Sequence, residues 1–359
     1  MNIAMLYQNN PPFTLSSHDQ TGIGGSENGF LRTIRWLAKL GHRVEVYNRA
    51  PVSFHQADAN IWWGNIDAFD RSRPFDVACS LRHREPFKAP INARLKVLFT
   101  ADTESIGLGE DVHNGLIDLV MFVSHWQKEK ITREEGLPEE YCYITSNGIE
   151  ESPRELPEEK VPGRCLFMST PDRGLESLLN LWPDIRMRVP YATLHLYSSY
   201  LGWGVSSEEN ENMIGELYKR INDMSHIGVV NMRHANAWDA RKAQLEADAY
   251  LYPSDFYETC CMAVLESMYC GAIPVVTGRA ALLEKVLTDI TGYMVSPVGS
   301  NSPRYKRQFV ESVTLALTLP IEEKNRIRDN CRRFASQFTY GKLVPAWAEE
   351  WQMRVSAKG

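Results

Sequence analysis

The chain alternates short, almost unbroken apolar runs with longer segments in which apolar residues return every third or fourth position. Residues 2–8 (NIAMLYQ), 75–81 (FDVACSL), 95–102 (LKVLFTAD) and 118–124 (DLVMFVS) are of the first kind, the pattern of strands covered on both faces. After the first run, Phe30, Ile34, Leu37 and Ala38 line one helical face while Arg32, Arg35 and Lys39 take the others. Gly41 stands where that helix must stop, and RVEVYN follows as the next strand. Strand, glycine loop, helix, strand predicts a βαβ unit. An exposed helix is expected over 125–136, then a closing strand and turn over 141–149.

Residues 151–164 combine three prolines with a charge cluster and read as a linker. A second series follows, with strands expected at 165–169, 192–198, 228–232, 249–254 and 273–277. Helices are expected from about 174, around 207–223 and from 238, and a last one at 342–357 carries Trp347 and Trp351. The prediction is an α/β protein with two Rossmann-like, doubly wound domains, 1–150 and 165–340, facing a central cleft, with the last helix packed back on the first domain. The 359 residues suit two domains of ~150–180 residues each.

Composition narrows the classes. Hydrophobic residues at 43% and charged residues at 23% describe an ordinary globular chain. The net charge of −6 argues against nucleic-acid binding by a generally basic surface and leaves a local groove open. Seven cysteines without CxxC or Cys/His spacing read as reduced core residues, which predicts a cytoplasmic protein. The apolar run at Met1–Tyr7 is too short for a signal-peptide core, and no run of about 18 apolar residues predicts a spanning helix.

The stretch 252–276 (YPSDFYETCCMAVLESMYCGAIPVV) turns the question to chemistry. Cys261, Val264, Leu265 and Met268 recur at i, i+3, i+4 and i+7, which predicts a buried helix, yet Glu258 stands at its expected start and Glu266 two turns further on. On one helix that spacing is roughly 12 Å along the axis and about 80° around it. The amides of Thr259, Cys260 and Cys261 would then lack helical acceptors and offer a seat for a phosphate or diphosphate. A carboxylate at each end would accept hydrogen bonds from hydroxyls. The bland alternative is a first-turn glutamate favoured by the helix dipole and a Glu266 paired with a basic residue.

The block from Glu258 to Glu266, continued by Ser267, Met268, Gly271 and Pro274-Val275-Val276, resembles the Glu-x7-Glu signature of glycosyltransferase family 4, retaining enzymes of the GT-B fold. The likeness extends along most of the chain: GGSE at Gly24 before LGHRVEVY, VSHWQKEKI, ITSNGI, and STPDRGLESLLNLWP from Ser169. It implies that Glu258 faces the hydroxyls of the transferred sugar and Glu266 the ribose of the donor. Amides of Cys260, Cys261 and Met262, where relatives usually have glycines, would meet the diphosphate or sugar. Gly24 and Gly25 would let the first domain's backbone approach the donor phosphates. Arg173 matches a family lysine that neutralises the leaving diphosphate. Arg233 and His234 follow the strand that usually flanks the nucleobase, which makes them candidates for base or phosphate contact.

Two departures stand out. Where the family has a second basic residue in a Gly-Arg pair, this chain has Phe167-Met168-Ser169-Thr170, so the hydroxyls of Ser169 and Thr170 are the candidates for phosphate. Where many relatives have a histidine beside the sugar, it has Ala101 followed by Asp102. Asp102 would contact the acceptor hydroxyl or donor sugar, or else cap the following segment. His83 would substitute for the histidine or be an ordinary surface residue.

The resemblance implies a nucleoside diphosphate sugar as donor substrate, no separate cofactor, and an acceptor hydroxyl on a glycan or lipid-linked saccharide, with modified DNA or protein left open. No DxD pair lies in a suitable loop, so no metal is expected. The segment HWQKEKITR fits either a peripheral membrane contact or a solvated helix. Arg32, Arg35, Lys39 and Arg43 fit either a basic groove or a solvated face. Two rival readings are a GT-B nucleotide-sugar epimerase and a non-catalytic nucleotide-sugar binding module.

Overall fold

The computed structural model describes residues 1–8, 12–17, 24–151, 159–201, 204–297 and 302–358. The chain divides into two units, Met1–Gly148 with Phe338–Gly359, and Ile149–Gln337. Of the linker expected at 151–164, residues 152–158 lie outside the described residues.

The first unit is built on eight strands: β1 (Asn2–Leu6), β2 (Arg43–Asn48), β3 (His55–Asp58), β4 (Ile61–Asn65), β5 (Phe75–Leu81), β6 (Ala93–Thr100), β7 (Leu119–Phe122) and β8 (Cys142–Ile144). They lie in the order β3-β4-β2-β1-β5-β6-β7-β8, parallel except for the β3–β4 pair. The apolar runs of β1, β5, β6 and β7 take the middle of the sheet, where both faces are covered. β3 and β4 have no counterpart in the apolar pattern. HQAD in β3 is almost wholly exposed, and a short, polar, antiparallel strand at the border discourages pairing with other chains.

The helix Tyr340–Ala357 belongs to this first unit and packs on the helix Gly25–Lys39 and on β5 and β6. Trp347 anchors it: its ring lies 5.3 Å from that of Phe99, and its indole N–H donates to Thr145 Oγ1 at 2.6 Å. Gly148 marks the closest approach, since a Cβ there would sit 2.4 Å from the Tyr340 ring.

The second unit carries six strands, β9 (Arg164–Met168), β10 (Thr193–Tyr197), β11 (Val229–Arg233), β12 (Ala249–Tyr252), β13 (Ile273–Thr277) and β14 (Tyr293–Val295). All pair in parallel, in the order β11-β10-β9-β12-β13-β14. The chain runs outward from β9 to β10 and β11, then returns to β12 on the other side of β9. This reversal makes β9/β12 the topological switch point, where a ligand-binding crevice forms beyond the carboxyl ends of the strands. At the opposite, amino end of β12, buried Asp248 accepts from Lys324 Nζ at 2.8 Å, Arg328 Nη2 at 2.7 Å and the Gly163 amide at 2.9 Å. Lys324 and Arg328 come from the helix Ile321–Ala335, which this cluster ties to the sheet. Among the described residues, no helix is long and apolar enough to cross a membrane.

Candidate active site

Because β9–β13 are all parallel, their exits share one edge of the sheet. The exit of β9 runs through Ser169 and Thr170, both partly buried, into a turn closed by the Arg173 amide on the Thr170 carbonyl at 3.0 Å. Gly174 then starts the helix Leu175–Arg188 from the left-handed region, at φ +95°. A Cβ at Gly174 would lie 2.4 Å from the Pro253 carbonyl oxygen, so only glycine lets this turn rest against the exit of β12. We expect Gly174→Ala to cost about 1–3 kcal/mol of stability, read in a denaturant titration, because strain and a backbone clash coincide there.

That close approach brings Arg173 to Glu258. Their charged groups are 3.5 Å apart, and the Arg173 guanidinium also lies 3.1 Å from Asp172 and 3.1 Å from the centre of the Phe256 ring. Tyr252, at the end of β12, donates its hydroxyl to Glu258 Oε1 at 2.6 Å. The Ala281 amide, beyond β13, donates to the Glu258 backbone carbonyl at 3.1 Å. Burial of the Glu258 side chain, 17% exposed, pushes its carboxyl above the usual range, while the Tyr252 bond and the Arg173 charge oppose that push.

The raised carboxyl carries a stability prediction. The native state favours the protonated form, so stability is fully present below the unfolded glutamate's pKa and falls as pH rises through the folded one. Glu258→Gln, a neutral isostere, should therefore raise the melting temperature at pH 7, with the difference shrinking in acid. A thermal scan at pH 4 and pH 7 checks this, and a lower melting temperature at pH 7 would contradict it.

The helix expected to begin at Glu258 begins later, at Met262. Cys261 caps it from the left-handed region at φ +57°, so Glu258, Thr259 and Cys260 belong to the preceding loop. Glu258 and Glu266 therefore do not share a helix, and the axial separation expected from helical rise does not apply. The amides open at the helix start are those of Met262, Ala263 and Val264 rather than Thr259, Cys260 and Cys261, and no side chain caps them. Glu266 lies on this helix, partly buried, and accepts from Gln244 Nε2 at 3.2 Å. Among the described residues it makes no ion pair within 4.0 Å, so the pairing with a basic residue is not found.

Arg233 and His234 leave β11, at the border of the sheet and two strands from the switch point. The Arg233 guanidinium lies 3.5 Å from Glu211 and 4.8 Å from the Tyr218 ring, and His234 Nδ1 lies 3.3 Å from Ser199 Oγ.

In the first unit, Gly24 is the N-cap of the helix Gly25–Lys39, with φ −57°, so neither glycine occupies a conformation that glycine alone allows. Residues 18–23, just before them, lie outside the described residues. Asp102, past β6, does not cap the next helix, whose N-cap is Gly107. Instead both its oxygens take hydrogen bonds from Arg82, one from Nε at 3.1 Å and one from Nη2. Arg82 sits in the left-handed region at φ +67° just past β5 and also reaches Ser26 Oγ at 3.5 Å. In the sequence this arginine shows only as a charge directly after a buried strand. His83 is partly buried, its Nδ1 3.8 Å from Glu85, and burial lowers its pKa.

The remaining basic candidates are engaged locally. Arg32 donates to Asn28, Arg35 to the Leu15 carbonyl and Arg43 to Glu45, while Lys39 lies over Trp36. On the helix His125–Glu135, Lys128 pairs with Glu139 and Lys130 with Glu134. Among the described residues, no three His, Cys, Asp or Glu side chains gather as ion ligands.

No protein-family model and no curated protein matches the chain. Solved structures do match. A sucrose-phosphate synthase (tll1590) from Thermosynechococcus elongatus superposes with a TM-score of 0.72 at 12% identity, over 99% of this chain and 100% of that one. A glycosyltransferase from Rickettsia africae gives 0.70 at 12% identity, over 99% of both chains. HepE from Anabaena, solved with UDP and glucose, gives 0.65 at 14% identity, over 98% of this chain and 99% of that one. The fold is GT-B. At such identities the likeness carries the architecture and assigns no role to Arg173, Glu258 or Glu266.

Proposed function

We propose that the chain is a retaining glycosyltransferase of the family 4, Glu-x7-Glu type, moving a sugar from a nucleoside diphosphate sugar to the hydroxyl of a carbohydrate acceptor. The observation that carries this reading is the meeting of Arg173 and Glu258 across the β9/β12 switch point, beside uncapped helix amides. A cation, a buried carboxylate and free N–H groups in one place match the three parts of a sugar diphosphate. The solved neighbours support the donor class: HepE was crystallised with UDP and glucose, and the pneumococcal O-GlcNAc transferase GtfA with UDP and GlcNAc.

In this mechanism the diphosphate rests against the amides of Met262–Val264 and the Arg173 guanidinium. Glu258 accepts from sugar hydroxyls and Glu266 from the ribose. The bond from the anomeric carbon to the diphosphate oxygen breaks as the acceptor oxygen attacks from the same face. The departing phosphate oxygen takes the acceptor's proton, so no dedicated base is needed. Preorganised charge that stabilises the leaving group supplies the main acceleration. No metal or further cofactor enters this scheme, and asparagine or glutamine in place of Glu266 weakens donor binding by loss of the negative charge and of one of its two acceptor oxygens.

The test is a thermal-shift panel of UDP-, GDP-, ADP- and dTDP-sugars, followed by product analysis with and without EDTA. Binding stabilises only the folded state, so the true donor raises the melting temperature most. Failure to bind or cleave any of them sinks the proposal. An epimer formed from donor alone would instead point to isomerisation.

A further inference from the structure

The exit of β13 brings a second cation to this edge. Arg279 lies two residues beyond Thr277, with a side chain only 23% exposed. Its Nη1 donates to the Asp255 carbonyl at 3.0 Å, its Nη2 lies 3.6 Å from the Asp255 carboxylate, and its guanidinium lies 5.0 Å from the Tyr257 ring centre. Arg173 engages the adjacent residue in the same manner, over Phe256. Two guanidiniums thus brace the loop between β12 and Glu258, one from each strand flanking β12. The turn that bears Arg279 is fixed to the site as well, through buried Ala280 at φ +52° and the Ala281 amide on Glu258.

Charge balance gives this arginine a task. A diphosphate brings at least two negative charges into a half-buried site, where uncompensated charge is costly. Arg173 is already shared between Asp172 and Glu258, and the exit of β9 from Met168 to Thr170 offers no further cation. Among the described residues, Asp255 is the one residue that the Arg279 guanidinium pairs with or hydrogen-bonds, and a guanidinium has five N–H donors. We propose that Arg279 is a donor-binding residue, the second cation that holds the diphosphate of the nucleotide sugar. This rests on the transferase reading given above.

Calorimetric titration of the full chain with UDP, GDP, ADP and dTDP identifies the diphosphate that binds, and its monophosphate serves as control. Arg279→Gln should weaken the diphosphate by about tenfold or more, the scale of a lost charge-assisted hydrogen bond, and the monophosphate by far less. Arg279→Lys should recover part of the loss. Arg279→Met, which keeps the apolar stem against Tyr257, should match Arg279→Gln, and circular dichroism establishes that each variant is folded. Diphosphate affinity within twofold of wild type in Arg279→Gln overturns the assignment. Equal losses for diphosphate and monophosphate overturn it too, since they show an arginine that merely props the loop. Wild-type protein that binds no diphosphate at all removes the transferase reading itself, a separate and recognisable failure.

Discussion

Under the proposed transfer, Arg173→Ala is expected to lower kcat by about two to three orders of magnitude at saturating donor, the usual cost of losing one preorganised group that stabilises developing charge. The guanidinium is held in advance: the Phe256 ring lies beneath it and two carboxylates flank it, so it needs no rearrangement when the diphosphate departs. Arg173→Lys should fall between the two, because an ammonium keeps the charge but neither stacks as flatly on Phe256 nor reaches two groups as a planar fork. The loss should appear in kcat more than in KM, since the charge on the leaving group is greatest in the transition state. Steady-state rates with the identified donor decide it; activity within threefold of wild type would remove Arg173 from the chemistry.

The largest stability effect is expected far from that chemistry, at the amino end of β12. Asp248 is fully buried and receives two cations, Lys324 and Arg328, along with the Gly163 amide. Asp248→Ala leaves two positive charges buried without a partner, and breaking a buried pair in this way costs about 3–5 kcal/mol. Urea unfolding should show the transition of the second unit moved to lower denaturant while that of the first stays in place, provided the two are resolved. Asp248→Asn should cost less, because it keeps an acceptor for the Gly163 amide. A shift below about 1 kcal/mol for Asp248→Ala would mean that water reaches the cluster.

Much of the fold is legible in the sequence because parallel strands buried on both faces leave continuous apolar runs, as in β1, β5 and β7. β3 leaves no such trace, since HQAD is almost wholly exposed and joins the sheet by pairing with β4. The start of the helix at Met262 is hidden for a different reason. Cys261 is buried and fits the apolar period, so nothing in the sequence signals its left-handed backbone, which is uncommon for a residue with a side chain. The carboxylate of the site, Glu258, is visible from its unusual company, a charge among residues suited to an interior. Two pairings are not visible: Arg82 with Asp102 in the first unit and Arg279 with Asp255 in the second are each joined by folding across twenty residues or more, a distance over which local pattern carries no information.

The membership of the helix Tyr340–Ala357 in the first unit has a consequence for biosynthesis. A ribosome emits the eight-stranded sheet early, yet the surface that Trp347 will cover stays bare until residues 149–337 have been made, roughly ten to forty seconds at ordinary elongation rates. During that interval Phe99 and its neighbours are open to chaperones and to stray association, so the nascent chain is most exposed to aggregation while its second half is still being translated.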